Sequence, residues 1–491
     1  MTTDDKQPQI DDGRSSDEAV RAKSISTDPQ GNTIITEENG EVFTISESAE
    51  RALLWKFDLR ILPLLAVINA KTGGLEKSLG MEGTNQYNIL LSIFFVPYVL
   101  AAPFVAILGK IYGPSRVLPC MMFTFGLMTL CTVGVSNFGG LVALRVILGA
   151  AESAFFPLVI YYQTQFYRRG ELARRLAIFY AASNIAGAFG GLLAYGVFHI
   201  KSGSIPSWKY LFVIEGSLTM AMSVVAFCFL PRSASKARFL NEDEKRIQVD
   251  SSAIVEEKFE FKEAARILKH WTSWHILAIE MCLGIPLQSV TLFLPQIIAR
   301  LGYSTIKTNL YTVAPNCTGA VMLLLLAFAS DYTRWRFPFI ALGFFWTFCG
   351  MVIYSAIDVL NELIVAYFAC FMMTWGTSAP SVLLDVWYCN NIADENRRLF
   401  LTSLGVPLAN LMGVVSSNIF RKEDAPQYIP ALATTAAFGG LGLVLTLLLG
   451  GYMIMDNKKR NRQQGVNLRA RDVPTERLRD GPACAEFRWF Y

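Results

Sequence analysis

Arg145 and Glu152 are ionisable residues inside the apolar run Leu144–Pro157 (LRVILGAAESAFFP). Seven positions apart, they lie on one face of a helix, two turns and about 10.5 Å apart along its axis. Charge at such depth is costly in a bilayer, so it faces a polar interior and marks an ion pathway or a proton relay. On that reading Arg145 attracts an anion or positions the relay, and Glu152 takes up and releases a proton. The competing reading is a structural pair that pins helix packing near Gly149.

Other polar residues are candidates by the same logic. Asn184, Gln288, Asn316 and Asn410 are amides inside apolar runs. They can hydrogen-bond a carboxylate, or bond across helices as packing glue. Asn184 and Gln288 fall in helices expected to line a central cavity. Glu215 and Glu280 sit nearer the ends of their runs, where hydration or snorkelling makes a charge cheap, so packing is the reading there. Trp375, Tyr161 and Tyr162 could wall a site for a flat ring, or mark membrane interfaces.

No enzyme is indicated: there is no Ser-His-Asp order, no zinc spacing and no phosphate-cradling Gly loop. The three histidines, His199, His270 and His275, lie near helix ends, and no metal or cofactor is expected. With no Walker-type ATP motif, any transport must run on an ion gradient. The nine cysteines show no paired spacing, and Cys120, Cys131, Cys228, Cys282, Cys317, Cys349 and Cys370 read as small packing residues in or at the ends of apolar runs.

The elements that position these residues are transmembrane helices. The 491 residues are 53% hydrophobic and only 17% charged, with a mean hydropathy of +0.36. Such a balance belongs to a polytopic helical membrane protein embedded in lipid. A net charge of +4, with its basic residues placed between apolar runs, gives no support for nucleic-acid binding. Eleven spans are expected near 86–108, 117–135, 138–162, 176–198, 209–230, 273–297, 308–330, 337–357, 361–384, 399–420 and 429–455. A twelfth apolar run, Ile61–Ala70 (ILPLLAVINA), precedes them but reaches only about 15 Å into a hydrocarbon core about 30 Å thick.

The domain plan follows. Residues 1–50 are an acidic tail with no signal-peptide core, expected to be disordered and cytoplasmic. Residues 51–230 make an N-terminal helical half with a truncated first helix, and 231–272 a polar, charged cytoplasmic connection. Residues 273–455 make a six-helix C-terminal half, and 456–491 a basic cytoplasmic tail. Alternate loops carry the basic residues (Lys110 and Arg116; Arg168, Arg169, Arg174 and Arg175; Arg334 and Arg336; Arg397 and Arg398), which places them, and both termini, in the cytoplasm. Both termini inside require an even number of crossings, so the short run must count as one. The halves also rhyme: GKIYGPSR (Gly109–Arg116) and YRRGELARR (Tyr167–Arg175) match SDYTRWR (Ser330–Arg336) and NNIADENRR (Asn390–Arg398). Two matched six-helix halves are the architecture of a rocker-switch transporter with its site at mid-membrane.

At these loops the chain resembles the major facilitator superfamily. Together with QYNILLSIFFVPYV, FYRRGELARR, FVIEG and the Arg-x-x-x-Gly pattern of Arg145 and Gly149, it looks like the fungal anion:cation symporters, a family that includes allantoate, nicotinate and pantothenate permeases. The resemblance implies an all-α membrane protein with the major facilitator fold and proton-coupled import of a small organic anion by a monomer at the plasma membrane. Export of a fungal secondary metabolite is the alternative direction, and a non-transporting or defective splice form is the alternative class. Gly109, Gly113 and Arg116 match the family's Gly-rich basic turn, which here lacks its Asp; the second copy keeps Asp331 with Arg334 and Arg336. These six residues would form a cytoplasmic gate, against a merely solvated turn. In the first helix Leu62–Ala66 matches the beginning and Asn69–Lys71 the end of the family's pattern, with about four turns missing. A skipped exon, a misplaced splice boundary in a gene model or a genuine deletion would each produce such a loss, and an annotation or splice artefact is favoured because the other eleven spans are intact. Sequencing the transcript across Ile61–Ala70 is therefore expected to show a longer first span as the major form; a major form with the short junction refutes the artefact.

Overall fold

The computed structural model describes residues 24–27, 33–36, 42–45, 86–164, 176–181, 206–230, 261–302, 310–359, 361–392, 394–424, 427–470 and 481–491, with single positions at 185, 193, 196, 197, 308 and 473. The short run Ile61–Ala70, most of 176–198 and most of the connection 231–272 lie outside these residues. Within the acidic tail, Ser24–Thr27, Thr33–Thr36 and Val42–Ile45 pair in order as a three-stranded antiparallel meander, where the sequence reading placed disorder. Every other element among the described residues is helical.

The first half contains α1 (Gln86–Tyr112), α2 (Pro114–Cys131), α3 (Phe138–Glu152), α4 (Phe155–Thr164) and α5 (Ser207–Phe229). The connection contributes the short α6 (Phe261–Ala265). The second half contains α7 (Trp271–Ala299), α8 (Val313–Thr333), α9 (Phe337–Ala356), α10 (Leu363–Ser378), α11 (Pro380–Asn391), α12 (Glu395–Ile419) and α13 (Ile429–Gln464). Taking α3 with α4 and α10 with α11, ten helices among the described residues are long and apolar enough to cross a membrane. They match ten of the eleven expected spans, and the eleventh, 176–198, is described only in part. This is an all-α membrane fold.

Local chemistry accounts for the helix ends. Asn137 caps α3 by accepting from the Gly140 N–H at 2.7 Å, and Asp394 caps α12 by accepting from the Arg397 N–H at 2.7 Å. Pro114 opens α2 directly after Gly113, whose φ of +88° only glycine adopts without strain. Within the halves α2 packs on α5, α1 on α3, α9 on α10 and α13, and α7 on α12 and α13. The halves meet where α1 lies along α12. Small residues permit the closest approaches: a Cβ at Gly284 of α7 would stand 2.1 Å from the Ala409 carbonyl oxygen of α12.

Two spans depart from their expected form. The one expected at 138–162 breaks at Ser153–Ala154, just before Pro157, and the one expected at 361–384 breaks at Ala379 and runs on to Asn391. Proline carries no N–H, so each break frees a carbonyl one turn earlier. With the short run Ile61–Ala70 counted as the first crossing, as the sequence reading has it, both breaks fall in the fourth crossing of their half.

At the end of the molecule that carries the basic loops, the turn between α8 and α9 is closed by a buried ion pair. Arg336 Nη1 lies 2.5 Å from Asp331 Oδ1, with side chains 0% and 1% exposed. Arg336 also donates to Ser330 Oγ at 2.9 Å. Burial lowers the Arg336 guanidinium from its ordinary value, and Asp331 opposes that shift. Arg334 is no part of the pair: it is exposed and caps α8 in the left-handed region at φ 60°. The helix α13 continues past 455 to Gln464, and residues 481–491 return to lie against it. Phe490 exchanges two hydrogen bonds with the Asn391 amide, and Trp489 exchanges two with Asn457, each at 2.8 Å. The Phe490 ring sits 5.5 Å from the Arg336 guanidinium carbon.

Removing one member of a buried pair strands the other's charge, at a cost of about 3–5 kcal/mol, whereas removing both leaves no charge to strand. Asp331→Ala is therefore expected to lower the thermal unfolding midpoint in detergent more than the double variant Asp331→Ala/Arg336→Leu. Equal loss in the two would show that the pair contributes through packing alone.

Candidate functional site

A cavity of about 180 Å³ opens between the halves. Its first-half wall comes from Tyr98 of α1, Phe125 of α2, Glu152 at the end of α3, Phe155 and Phe156 of α4, and Phe179 and Tyr180. Its second-half wall comes from Glu280, Leu283 and Leu287 of α7, Ser381 and Asp385 of α11, and Val406, Ala409 and Asn410 of α12. The helix breaks explain this placement. Glu152 is the last residue of α3, so the break turns it and the following Phe155 and Phe156 toward the centre. In the second half Ser381 and Asp385 lie in the first turns after the break at Ala379. Broken helices at mid-membrane are tolerated where the backbone they free faces a cavity.

The aromatic wall is ordered. Phe125 meets Phe155 edge-on at 5.6 Å, and Phe156 stacks on Phe179 at 6.1 Å with 20° between the ring planes. Opposite it, Gln288 donates through Nε2 to Asn410 Oδ1 at 2.7 Å, and Asn410 Nδ2 reaches Tyr98 Oη at 3.5 Å. This thread joins α7, α12 and α1 and so crosses from one half to the other.

Three carboxylates face the cavity: Glu152, Glu280 and Asp385. Glu280 is 3% and Asp385 2% exposed. The two lie within hydrogen-bonding reach of one another. The Tyr388 hydroxyl donates to Asp385 Oδ1, while Glu280 Oε1 has no hydrogen-bond partner among the described residues. Among the described lining residues there is no Lys, Arg or His.

Of the residues singled out in the sequence, Glu152 and Asn410 line the cavity, and Gln288 is one hydrogen bond behind its wall. Arg145 is half-buried outside the lining and acts on Glu152 through its charge. Asn316 lies in the first turn of α8, away from the cavity wall. Asn184 lies outside the described residues. Trp375 is absent from the lining; its indole donates to Thr318 Oγ1 at 3.0 Å and packs against Trp346 and Phe371. Tyr161 and Tyr162 are buried elsewhere in the core. Gly109, Gly113 and Arg116 form the basic turn between α1 and α2, where the Gly109 backbone abuts Leu158 and the Arg116 side chain is exposed.

Two functional candidates differ from the sequence reading. Glu280 was read as a packing residue near a helix end, yet α7 starts at Trp271 and carries it well inside, on the cavity wall. Asp385 was missed altogether, because its span was ended at 384. The apolar residues on both sides of it, Leu383, Leu384, Val386 and Trp387, are the signal that a longer span would have used.

Comparison with known proteins agrees with this architecture. A profile of the Major Facilitator Superfamily matches residues 63–389. An uncharacterized transporter of Schizosaccharomyces pombe is 50% identical, over 92% of each chain. The MFS-type transporter efuF of Hormonema carpetanum is 42% identical, over 88% of this chain and 90% of its own. The high-affinity nicotinic acid transporter of Saccharomyces cerevisiae is 29% identical, over 91% of this chain and 86% of its own. A profile covering most of the chain, relatives of this similarity, and a two-half helical fold around a central cavity agree: the chain belongs to the Major Facilitator Superfamily, and it is a multi-pass membrane transporter rather than an enzyme.

Proposed function

We propose that this transporter imports a small organic anion together with protons, by alternating access, at the plasma membrane, with both termini in the cytoplasm. The observation that carries this reading is the composition of the cavity: three carboxylates, an ordered aromatic wall and no described basic side chain. An anion 4 Å from one carboxylate is repelled by about 4 kcal/mol even at an effective dielectric of 20. Each proton that the acids take up lowers this repulsion, so protons and anion raise one another's affinity, and that linkage is what a symporter needs. The aromatic wall suits a flat ring, in keeping with the name of the nicotinic acid transporter among the relatives. Glu152, with Arg145 behind it, and the Gln288–Asn410 thread are the groups assigned to the cargo. One chain supplies all of these groups, so a monomer suffices.

Gating is assigned to the basic end. The turn at Gly109, Gly113 and Arg116 and the Asp331–Arg336 pair with neighbouring Arg334 lie there, and Lys110 Nζ donates across the halves to Asn396 Oδ1 at 2.5 Å. Breaking that contact opens the cavity toward the cytoplasm.

The same lining also suits an organic cation, exported in exchange for protons. Vesicles separate the two readings. With labelled nicotinate as the probe, accumulation should follow an outside-acid gradient, collapse with a protonophore, and fall by roughly 5- to 150-fold in Glu152→Gln, the span of ordinary coupling free energies. Accumulation indifferent to the pH gradient would refute proton coupling. Gradient-driven movement of tetraethylammonium with none of nicotinate would select the cation reading.

A further inference from the structure

Three acids face the cavity, but they are not equivalent. Glu152 has the positive charge of Arg145 to answer its own. Among the described residues, lining or not, no cation is found acting on Glu280 or Asp385; they have each other. Two carboxylates can join by a hydrogen bond only when one of them carries a proton, because each is otherwise an acceptor alone. The site is built to hold that bond. Asp385 is steadied by the Tyr388 hydroxyl, and both acids are almost fully buried. Among the described residues Glu280 Oε1 has no hydrogen-bond partner, and it lies beside Gly405 of α12, where a Cβ would come within 3.7 Å of it.

We propose that Glu280 and Asp385 bind the coupling proton between them, as one carboxylic acid bonded to one carboxylate. The inference rests on the proton-coupled reading and assigns its proton to one place. The proton is taken from water on the acidic side by the carboxylate pair and returned to water on the other side; no electron pair leaves the protein and no other bond is made or broken. Both acids belong to the second half, on α7 and α11, so a rocking motion between rigid halves carries the pair intact and changes only its access to water and cargo. Glu152, on the first half, is left to sense the cargo across the seam.

The groups facing the pair are few. From α11 come Tyr388 and Cys389, from α3 Glu152, from α1 Tyr98, and Tyr180 from residues 176–181. Arg398 of α12 acts on Cys389 rather than on the pair. On α7 itself His275 turns away, to the Leu445 carbonyl of α13 at 2.9 Å.

Infrared difference spectroscopy of the purified full chain, titrated with pH in detergent, reads a protonated carboxyl directly and needs no cargo. The parent chain should show a carboxylic-acid stretch that disappears on raising the pH. Glu280→Gln and Asp385→Asn should each lose it, and Glu152→Gln should keep it. Tyr388→Phe, which removes a hydrogen bond and no carboxyl, should keep the band and shift its midpoint. In vesicles, Glu280→Gln should lose gradient-driven accumulation of labelled nicotinate while retaining its exchange, because exchange moves no net proton. A band lost only in Glu152→Gln, or no titrating band at all, overturns the proposal. Absence of nicotinate transport by the parent chain refutes the importer reading with that probe and leaves the infrared result to decide the proton site.

Discussion

Charge far from water is the constraint on which the rest of this molecule depends. Within a bilayer a backbone group or an ionised side chain has no solvent to fall back on, so it must find a partner in the protein or a cavity that admits one. The helices satisfy the first demand along almost all of the described spans. They give way at Ser153–Ala154 and at Ala379, each break lying against a proline and opening on the same cavity. The three acids follow the same rule: Glu152 stands at one break, Asp385 a turn beyond the other, and Glu280 on the helix between them. Irregular backbone and buried charge are concentrated in one place because only there can both be tolerated.

That concentration also explains why the seam between α1 and α12 is polar at intervals rather than uniformly greasy. Asn418 donates to Ser92 Oγ at 3.2 Å toward one end, Asn410 reaches Tyr98 at the middle, and Lys110 meets Asn396 at the other. Between them Gly413 lies hard against the Phe95 ring. Hydrogen bonds between membrane helices are individually worth about 0.6 kcal/mol, small enough to be exchanged for bonds to water. A seam of continuous close packing would hold the halves in one position.

Much of this was legible in the sequence, and the remainder failed for physical reasons. Apolar length located the crossings, since a helix must bury about 20 residues to span. The rhyme of GKIYGPSR with SDYTRWR located the repeat and the basic end. What hydropathy could not see was a span that continues through a charge: Asp385 lowers the local average, so the expected helix stopped one residue short of the acid it carries. Pairing was equally hidden. Gln288 and Asn410 stand 122 residues apart, and each alone reads as packing glue. Arg334 and Arg336 look interchangeable beside Asp331, yet only Arg336 points inward, because Arg334 is spent on ending α8 with a positive φ.

The two basic turns are therefore unequal, and the inequality has a structural cause. In the first half the turn at Gly113 lacks an acid, and Arg116 is left exposed. In the second half Arg336 is wholly buried, with no hydrogen-bond partner for Nε and Nη2 among the described residues and the Phe490 ring laid over its guanidinium. A buried guanidinium with unfilled donors is stable only while something shields it from a worse alternative, and an aromatic face supplies that shield. Trp335 meets Tyr491 edge-on at 5.7 Å beside it, so the same short segment covers both residues that lead into α9. Trp387 and Asn391, at the far end of the helix that bears Asp385, both donate to the Phe490 carbonyl, at 3.0 and 2.8 Å. The segment 481–491 thus ties the closed turn at the surface to the helix that carries the acid in the cavity. Displacing it would uncover a buried charge at one end and free the end of α11, the helix that bears Asp385, at the other.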